Sequence, residues 1–224
     1  MSRSPSSTNL SSLSSELSLE EYGIESIAVD TAPDVIVTPQ KKLIVGCILD
    51  LFKGRPTLKK LKLWADDATF NDPFTLATGR KQYQAQWYGL KNVFSEIEQL
   101  QSVIISSGNP IILNMKTRYK IKLVGMDQII SSQVKIYMSI SNSKIIRVDD
   151  QWCGKIPDEI FDLPRLSQFL SLCWWLRTAN TICFYFFSLI WWTRIWKLFR
   201  ILNGTVVPIL VRVPESIGDE SKEE

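Results

Sequence analysis

Ile111-Ile112-Leu113-Asn114-Met115-Lys116-Thr117-Arg118-Tyr119-Lys120-Ile121-Lys122-Leu123-Val124-Gly125 decides the fold of this chain. Leu113, Met115, Thr117, Tyr119, Ile121 and Leu123 fall on one face at a period of two. Asn114, Lys116, Arg118, Lys120 and Lys122 fall on the other. A period of two with one apolar side is a strand half-buried in an antiparallel sheet. The same alternation runs through Ile130, Ser132, Val134, Ile136, Met138 and Ile140. Ser141-Asn142-Ser143 reads as a turn, and Lys144 to Cys153 as a last strand.

Upstream of Glu96 the period is helical. Thr38 can cap, Pro39 suits a first helical position and Gly54 a stop. Between them Leu43, Ile44, Cys47, Ile48, Leu51 and Phe52 form an apolar stripe. A second helix is expected from Thr57, with Leu58, Leu61, Trp64 and Ala65 inward and Lys59, Lys60 and Lys62 facing water. A short extended piece, Ala68 to Phe74, is ended by Pro73. A third helix follows Gly79, with Tyr83, Trp87, Leu90 and Phe94 on its inner stripe. Helices first and long strands afterwards predict an α+β domain over residues 38–155, with helices covering one face of a bent sheet.

Leu63-Trp64-Ala65-Asp66-Asp67-Ala68-Thr69-Phe70-Asn71-Asp72-Pro73 resembles the end of the second helix and the first strand of the nuclear transport factor 2-like, or SnoaL-like, superfamily. Gly79 to Leu90, with Tyr83 and Trp87, resembles that superfamily's third helix. Lys144-Ile145 to Asp150-Gln151-Trp152-Cys153-Gly154 resembles its final strand. The resemblance covers residues 40–155. It implies a cone: a curved antiparallel sheet wrapped around three N-terminal helices, with a pocket between them. Enzymes of the superfamily generally act on small apolar substrates with a carboxylate or an Asp–His pair inside the cone. Members with the last-strand motif often carry His two positions before the aspartate, where this chain has Val148. The fold hosts isomerases, dehydratases, cyclases, hydrolases and non-catalytic binders, so it does not select a function.

The candidate catalytic groups are Asp150, Asp72 and Tyr83. Ile146, Val148, Asp150 and Trp152 share a face of the last strand. If that face points inward, Asp150 is a carboxylate among apolar neighbours, with a raised pKa suited to acid–base work. Tyr83, Trp87, Tyr119, Asp150 and Trp152 are the candidate lining of the cavity. Each also has a plain structural reading: Asp72 before Pro73 can organise a turn, and the tryptophans can be core.

Several classes are excluded or disfavoured. The chain of 224 residues contains no histidine. That removes Ser-His-Asp and Cys-His arrangements and histidine metal sites. Cys47, Cys153, Cys173 and Cys183 form no CxxC pair, so no metal site and no cofactor is expected. A net charge of +3 is too small to imply nucleic acid. The basic row Lys116, Arg118, Lys120 and Lys122 is either the wet face of a sheet or a patch for anionic headgroups.

The flanks differ from the domain. Residues 1–37 are rich in serine, acidic and poor in aromatics, and read as a disordered arm. They hold no apolar core for secretion and too few bases for a mitochondrial leader. From Leu163 to Arg212 every charged residue is basic. Thr178 to Thr193 is uncharged, with Arg177 just before it. Trp174 and Trp175 stand at one end of this stretch, and Trp191, Trp192 and Trp196 at the other. As a helix, Trp174 and Trp192 would lie ~27 Å apart, close to the ~30 Å of a bilayer's hydrocarbon. Residues 163–202 therefore read as a membrane-associating segment, spanning or interfacial, with a buried helix as the third reading. Residues 203–224 read as a loose tail; Asn203 to Pro214 could pack back on the domain. The expected partners are membrane lipid and a small apolar ligand, with a homodimer through the sheet also open.

Overall fold

The computed structural model describes residues 19–26, 28–122, 127–141, 143–153 and 200–220. Helix α1, Pro39–Phe52, starts as its sequence directs: the Thr38 hydroxyl accepts from the Lys41 N–H at 3.4 Å, and Pro39 fills the first turn. Gly54 follows the helix end at φ 71°, where a Cβ would be strained. Ile44, Cys47, Ile48 and Leu51 of α1 are fully buried.

Helix α2 is a single turn, Leu58–Leu61, capped by Thr57. Strand β2, Trp64–Asn71, begins at once. Trp64 and Ala65 are therefore strand residues and not the end of a helix. The reason is length: after Thr57 one helical turn already brings Leu61 to the core. Lys60 does not face water. It is 2% exposed, and its ammonium lies 3.2 Å from Asp50 and donates to the Arg55 carbonyl at 3.1 Å. Strand β3, Leu76–Thr78, folds back on β2, and helix α3, Arg80–Val93, follows. Phe94 is not on α3 but opens the next strand.

The long strands are β4 (Phe94–Ser106), β5 (Ile111–Ile121), β6 (Asp127–Met138) and β7 (Ile145–Trp152). With β1 (Asp30–Thr31) they form one sheet of order β1-β4-β5-β6-β7-β2-β3. The β1–β4 and β2–β7 pairs are parallel and the others antiparallel. Register shifts within β4–β5, β6–β7 and β2–β7 mark bulges, which bend and twist strands. The curved sheet wraps around α1 and α3, and this is the cone that the resemblance implies.

The inward set on β5 is as its alternation predicts, from Ile111 through Leu113, Met115 and Thr117 to Tyr119. Leu123 lies outside the described residues. On β6 the expected set ends early: Ile140 is beyond the strand and 97% exposed. On β7 a bulge changes the phase. Tyr137 pairs with Arg147 and Met138 with Ile145, so Ile146 is an extra residue and points outward. Val148, Asp150 and Trp152 then share the inner face without Ile146.

The flanks contribute more than expected. The described residues 19–26 and 28–37, expected as part of a disordered arm, pack on the domain instead. Leu19 and Ile24 are buried, and β1 pairs with β4. The arm is anchored because the Asp50 carboxylate accepts the N–H groups of Glu25 and Ser26 at 2.9 and 3.1 Å. Residues 1–18 lie outside the described residues. At the other end residues 200–210 form a helix, α4, where a loose stretch was expected. It lies so close to β3 that a Cβ on Gly204 would stand 2.2 Å from the Leu76 carbonyl oxygen. A last turn, α5 (Ile217–Glu220), places the Glu220 carboxylate on the Leu58 N–H at 3.1 Å and on the Tyr88 hydroxyl.

Candidate functional site

The interior of the cone is not filled. A cavity of about 560 Å³ lies between α3, α4 and the inward faces of β5, β6 and β7. Alternation on each strand sends Thr117 and Tyr119 of β5, Ser132 of β6, and Asp150 and Trp152 of β7 into it. Trp87 forms part of the wall from α3. Its ring is held edge-on by Phe52 at 5.1 Å and packs against Phe70 at 4.5 Å. The end of β2 and the turn after it add Asp72, Phe74 and Thr75.

Asp150 is the group on which chemistry could turn. It is 8% exposed. Its Oδ2 accepts from the Trp152 indole at 3.0 Å, while its Oδ1 is buried with no hydrogen-bond partner. Burial above all, with the Asp72 carboxylate adding to it, raises its pKa to about 7. The Ser132 hydroxyl and the Trp152 indole act in the opposite direction.

Asp72 has a structural task. Its Oδ1 accepts the N–H groups of Phe74 at 2.7 Å and Thr75 at 2.5 Å, closing the turn through Pro73. Burial pushes its pKa up to about 6, against those two amides and the nearby Arg200 guanidinium. Arg200 itself donates to Asn71 Oδ1 and to the Thr75 carbonyl, the latter at 3.2 Å.

The structure brings Asp72, Trp87, Tyr119, Asp150 and Trp152 to one cavity and leaves Tyr83 out. Tyr83 precedes Trp87 by one helical turn, but its ring stacks on Trp64 at 5.0 Å and its hydroxyl donates to the Ala65 carbonyl at 3.2 Å. Burial pushes its phenol up to about 12. It is a core residue here. Tyr119 is buried at the cavity wall against Phe94, at 4.8 Å. Burial and the Asp150 charge push its phenol above the ordinary tyrosine range.

Sequence reasoning missed the wall supplied by α4. Asn203, Val207, Leu210 and Val211 line the cavity. Asn203 also donates to the Phe74 carbonyl at 3.2 Å. The signal was present, since 203, 207, 210 and 211 lie at helical spacing. Pro208 and the β-branched residues obscured it.

The remaining candidates fall elsewhere. Arg118 pairs with Glu98 across the sheet, and Lys120 faces Glu96 in register. Two of the four bases thus face acids of β4, while Lys116 faces Gln101 and Lys122 donates to the Lys91 carbonyl at 3.0 Å. Trp174, Trp175, Arg177, Trp191, Trp192 and Trp196 lie outside the described residues. No helix among the described residues is long and apolar enough to cross a membrane. No group of three metal-ligating side chains converges among them either.

No family model matches this chain, and no curated protein matches it. Solved structures to which it is similar include a nuclear transport factor 2-like protein of unknown function from an Exiguobacterium species. That pair shares 14% identity over 50% of this chain and 99% of the other, with a TM-score of 0.41. A putative polyketide cyclase from a Silicibacter species is 12% identical, over 54% of this chain and 94% of its own, with a TM-score of 0.41. One from Xanthomonas campestris is 11% identical, over 48% and 87%, with a TM-score of 0.40.

Proposed function

We propose that the cone binds a small, mostly apolar molecule whose polar group meets Asp150. The observation that carries this reading is the unpartnered Oδ1 of Asp150 in a mainly apolar cavity of about 560 Å³. A buried acceptor without a donor is costly, and a ligand donor would remove the cost. The volume falls within the range of roughly 300–1,000 Å³ usual for ligand sites. Filling the cavity tests the reading. The Ser132→Phe ring would occupy it from β6. The full chain is expected to bind the uncharged dye N-phenyl-1-naphthylamine with enhanced fluorescence, and Ser132→Phe to lose that binding with its circular dichroism unchanged. Equal binding by both chains would place the dye elsewhere and count against the cavity.

Proton transfer is the second reading, and the position of Asp150 favours it. A carboxyl that titrates near neutrality and keeps one oxygen free can take a proton and return it. The reaction classes would be isomerisation, cyclisation or dehydration. With no histidine in the chain, Asp150 would act with Asp72 and Tyr119 as its titratable neighbours. Turnover of an enolisable ketone that disappears in Asp150→Asn, with binding retained, is the outcome that selects this reading over plain binding.

Membrane association through residues 163–202 is a separate proposal, supported by the paired tryptophans and the basic flank of the sequence. The full chain should resist carbonate extraction from cell membranes. A chain with Trp174, Trp175, Trp191 and Trp192 changed to serine should be released. Release of the unchanged chain would end this proposal.

A further inference from the structure

The charges of the cavity have one sign. Among the described residues that line it, Asp72 and Asp150 are the only charged side chains. The two differ in what they still need. Asp72 is occupied by two backbone amides and has the Arg200 guanidinium beside it. Asp150 has the Trp152 indole on Oδ2 and the Ser132 hydroxyl beside it, and its Oδ1 has no hydrogen-bond partner. Once ionised, the Asp150 carboxylate accepts hydrogen bonds and donates none, so in that state the vacant oxygen calls for a donor.

The walls around it are aromatic. Phe74 meets Trp152 edge-on at 5.0 Å, and Phe94 lies 4.8 Å from Tyr119. Aromatic faces attract a cation, more strongly when water is excluded. A buried carboxylate without an opposite charge is the costly arrangement, and a buried pair is the cheaper one. Among the described lining residues an anionic ligand would meet two carboxylates and no base, the Arg200 guanidinium being engaged by Asn71 and the Thr75 carbonyl. A neutral alcohol would supply the donor and leave the charge uncompensated.

We infer that the ligand is an amine: a small apolar molecule whose protonated nitrogen donates to Asp150 Oδ1 and rests against the Trp152 and Tyr119 rings. This rests on the reading of the cavity as a ligand site and adds the sign of the ligand's charge.

The test compares phenylbutylamine, phenylbutanol and phenylbutyrate, matched in their apolar part, by tryptophan fluorescence titration of the full chain. The amine is expected to bind at least about tenfold tighter than the alcohol, the scale at which a desolvated charge pair acts, and phenylbutyrate most weakly. Asp150→Asn should erase the amine's advantage, so that in the variant the amine binds no more tightly than the alcohol. An alcohol that binds as tightly as the amine would overturn the inference and leave the cavity reading standing. So would an amine preference that survives Asp150→Asn. Binding of none of the three would overturn both. The comparison on the unchanged chain decides the matter even where the variant does not fold.

Discussion

Asp150 keeps its proton in the folded chain at pH values where an unfolded aspartate has already lost it. Burial moves its pKa from 3.8 to about 7, and that of Asp72 from 3.8 to about 6. A raised carboxylate pKa means that the folded state binds more protons than the unfolded state. Stability from these groups is therefore full below about pH 4 and declines as pH rises toward 7. The slope is at most about 1.4 kcal/mol per pH unit for each group that titrates. Urea unfolding at pH 5 and pH 8 should show a larger loss for the unchanged chain than for Asp150→Asn. Equal losses would contradict the burial argument. Asp150 was legible because alternation on a strand names its face. Lys60 was not, since Lys59, Lys60 and Lys62 look alike in sequence and only the one-turn length of α2 turns Lys60 inward. Removing one partner of its buried pair with Asp50 is the expensive change. Lys60→Met should cost ~3–5 kcal/mol in urea unfolding, and Lys60→Met with Asp50→Asn should recover part of it.

Elements that pair by alternation were readable, and elements placed by close contact were not. β5 could be read from its sequence because every second side chain is apolar. α4 is fixed by a backbone approach, which leaves only a glycine as its trace. Its two glycine contacts predict different outcomes. In Gly204→Ala the new methyl meets the Leu76 carbonyl at 2.2 Å, and neither backbone can yield. α4 should then separate from β3, with faster amide exchange at 76–78 and 203–211 and a loss of ~1–3 kcal/mol. In Gly89→Ala the methyl meets Val211 Cγ2 at 3.3 Å, and a side chain can shift. Its exchange pattern should stay near that of the unchanged chain. Equal effects of the two substitutions would show that α4 is not held by this contact.

At the scale of the whole molecule, residues 38–155 are less than the folded unit. Residues 19–37 supply β1, the buried Leu19 and Ile24, and two donors to Asp50. Residues 200–220 supply a cavity wall and a cap for α2. The sequence marks the resemblance by its motifs, and motifs end where local patterning ends. A protein of residues 38–155 should melt well below the full chain and bind anilinonaphthalene sulfonate on exposed apolar surface. A fragment as stable as the full chain would mean that both flanks are dispensable. The bulge at Ile146 bears on how such a chain can change length over generations. Asp149 and Asp150 lie on opposite faces of β7, the first tied to Asn71 and Arg147 and the second in the cavity. Loss of Ile146 would iron out the bulge and leave Asp150 facing inward. Loss of a residue between Arg147 and Asp150 would have to be absorbed by the bulge, or it would exchange the two carboxylates. Descendants of this chain can therefore shed a codon at 146 and keep the same group in the cavity.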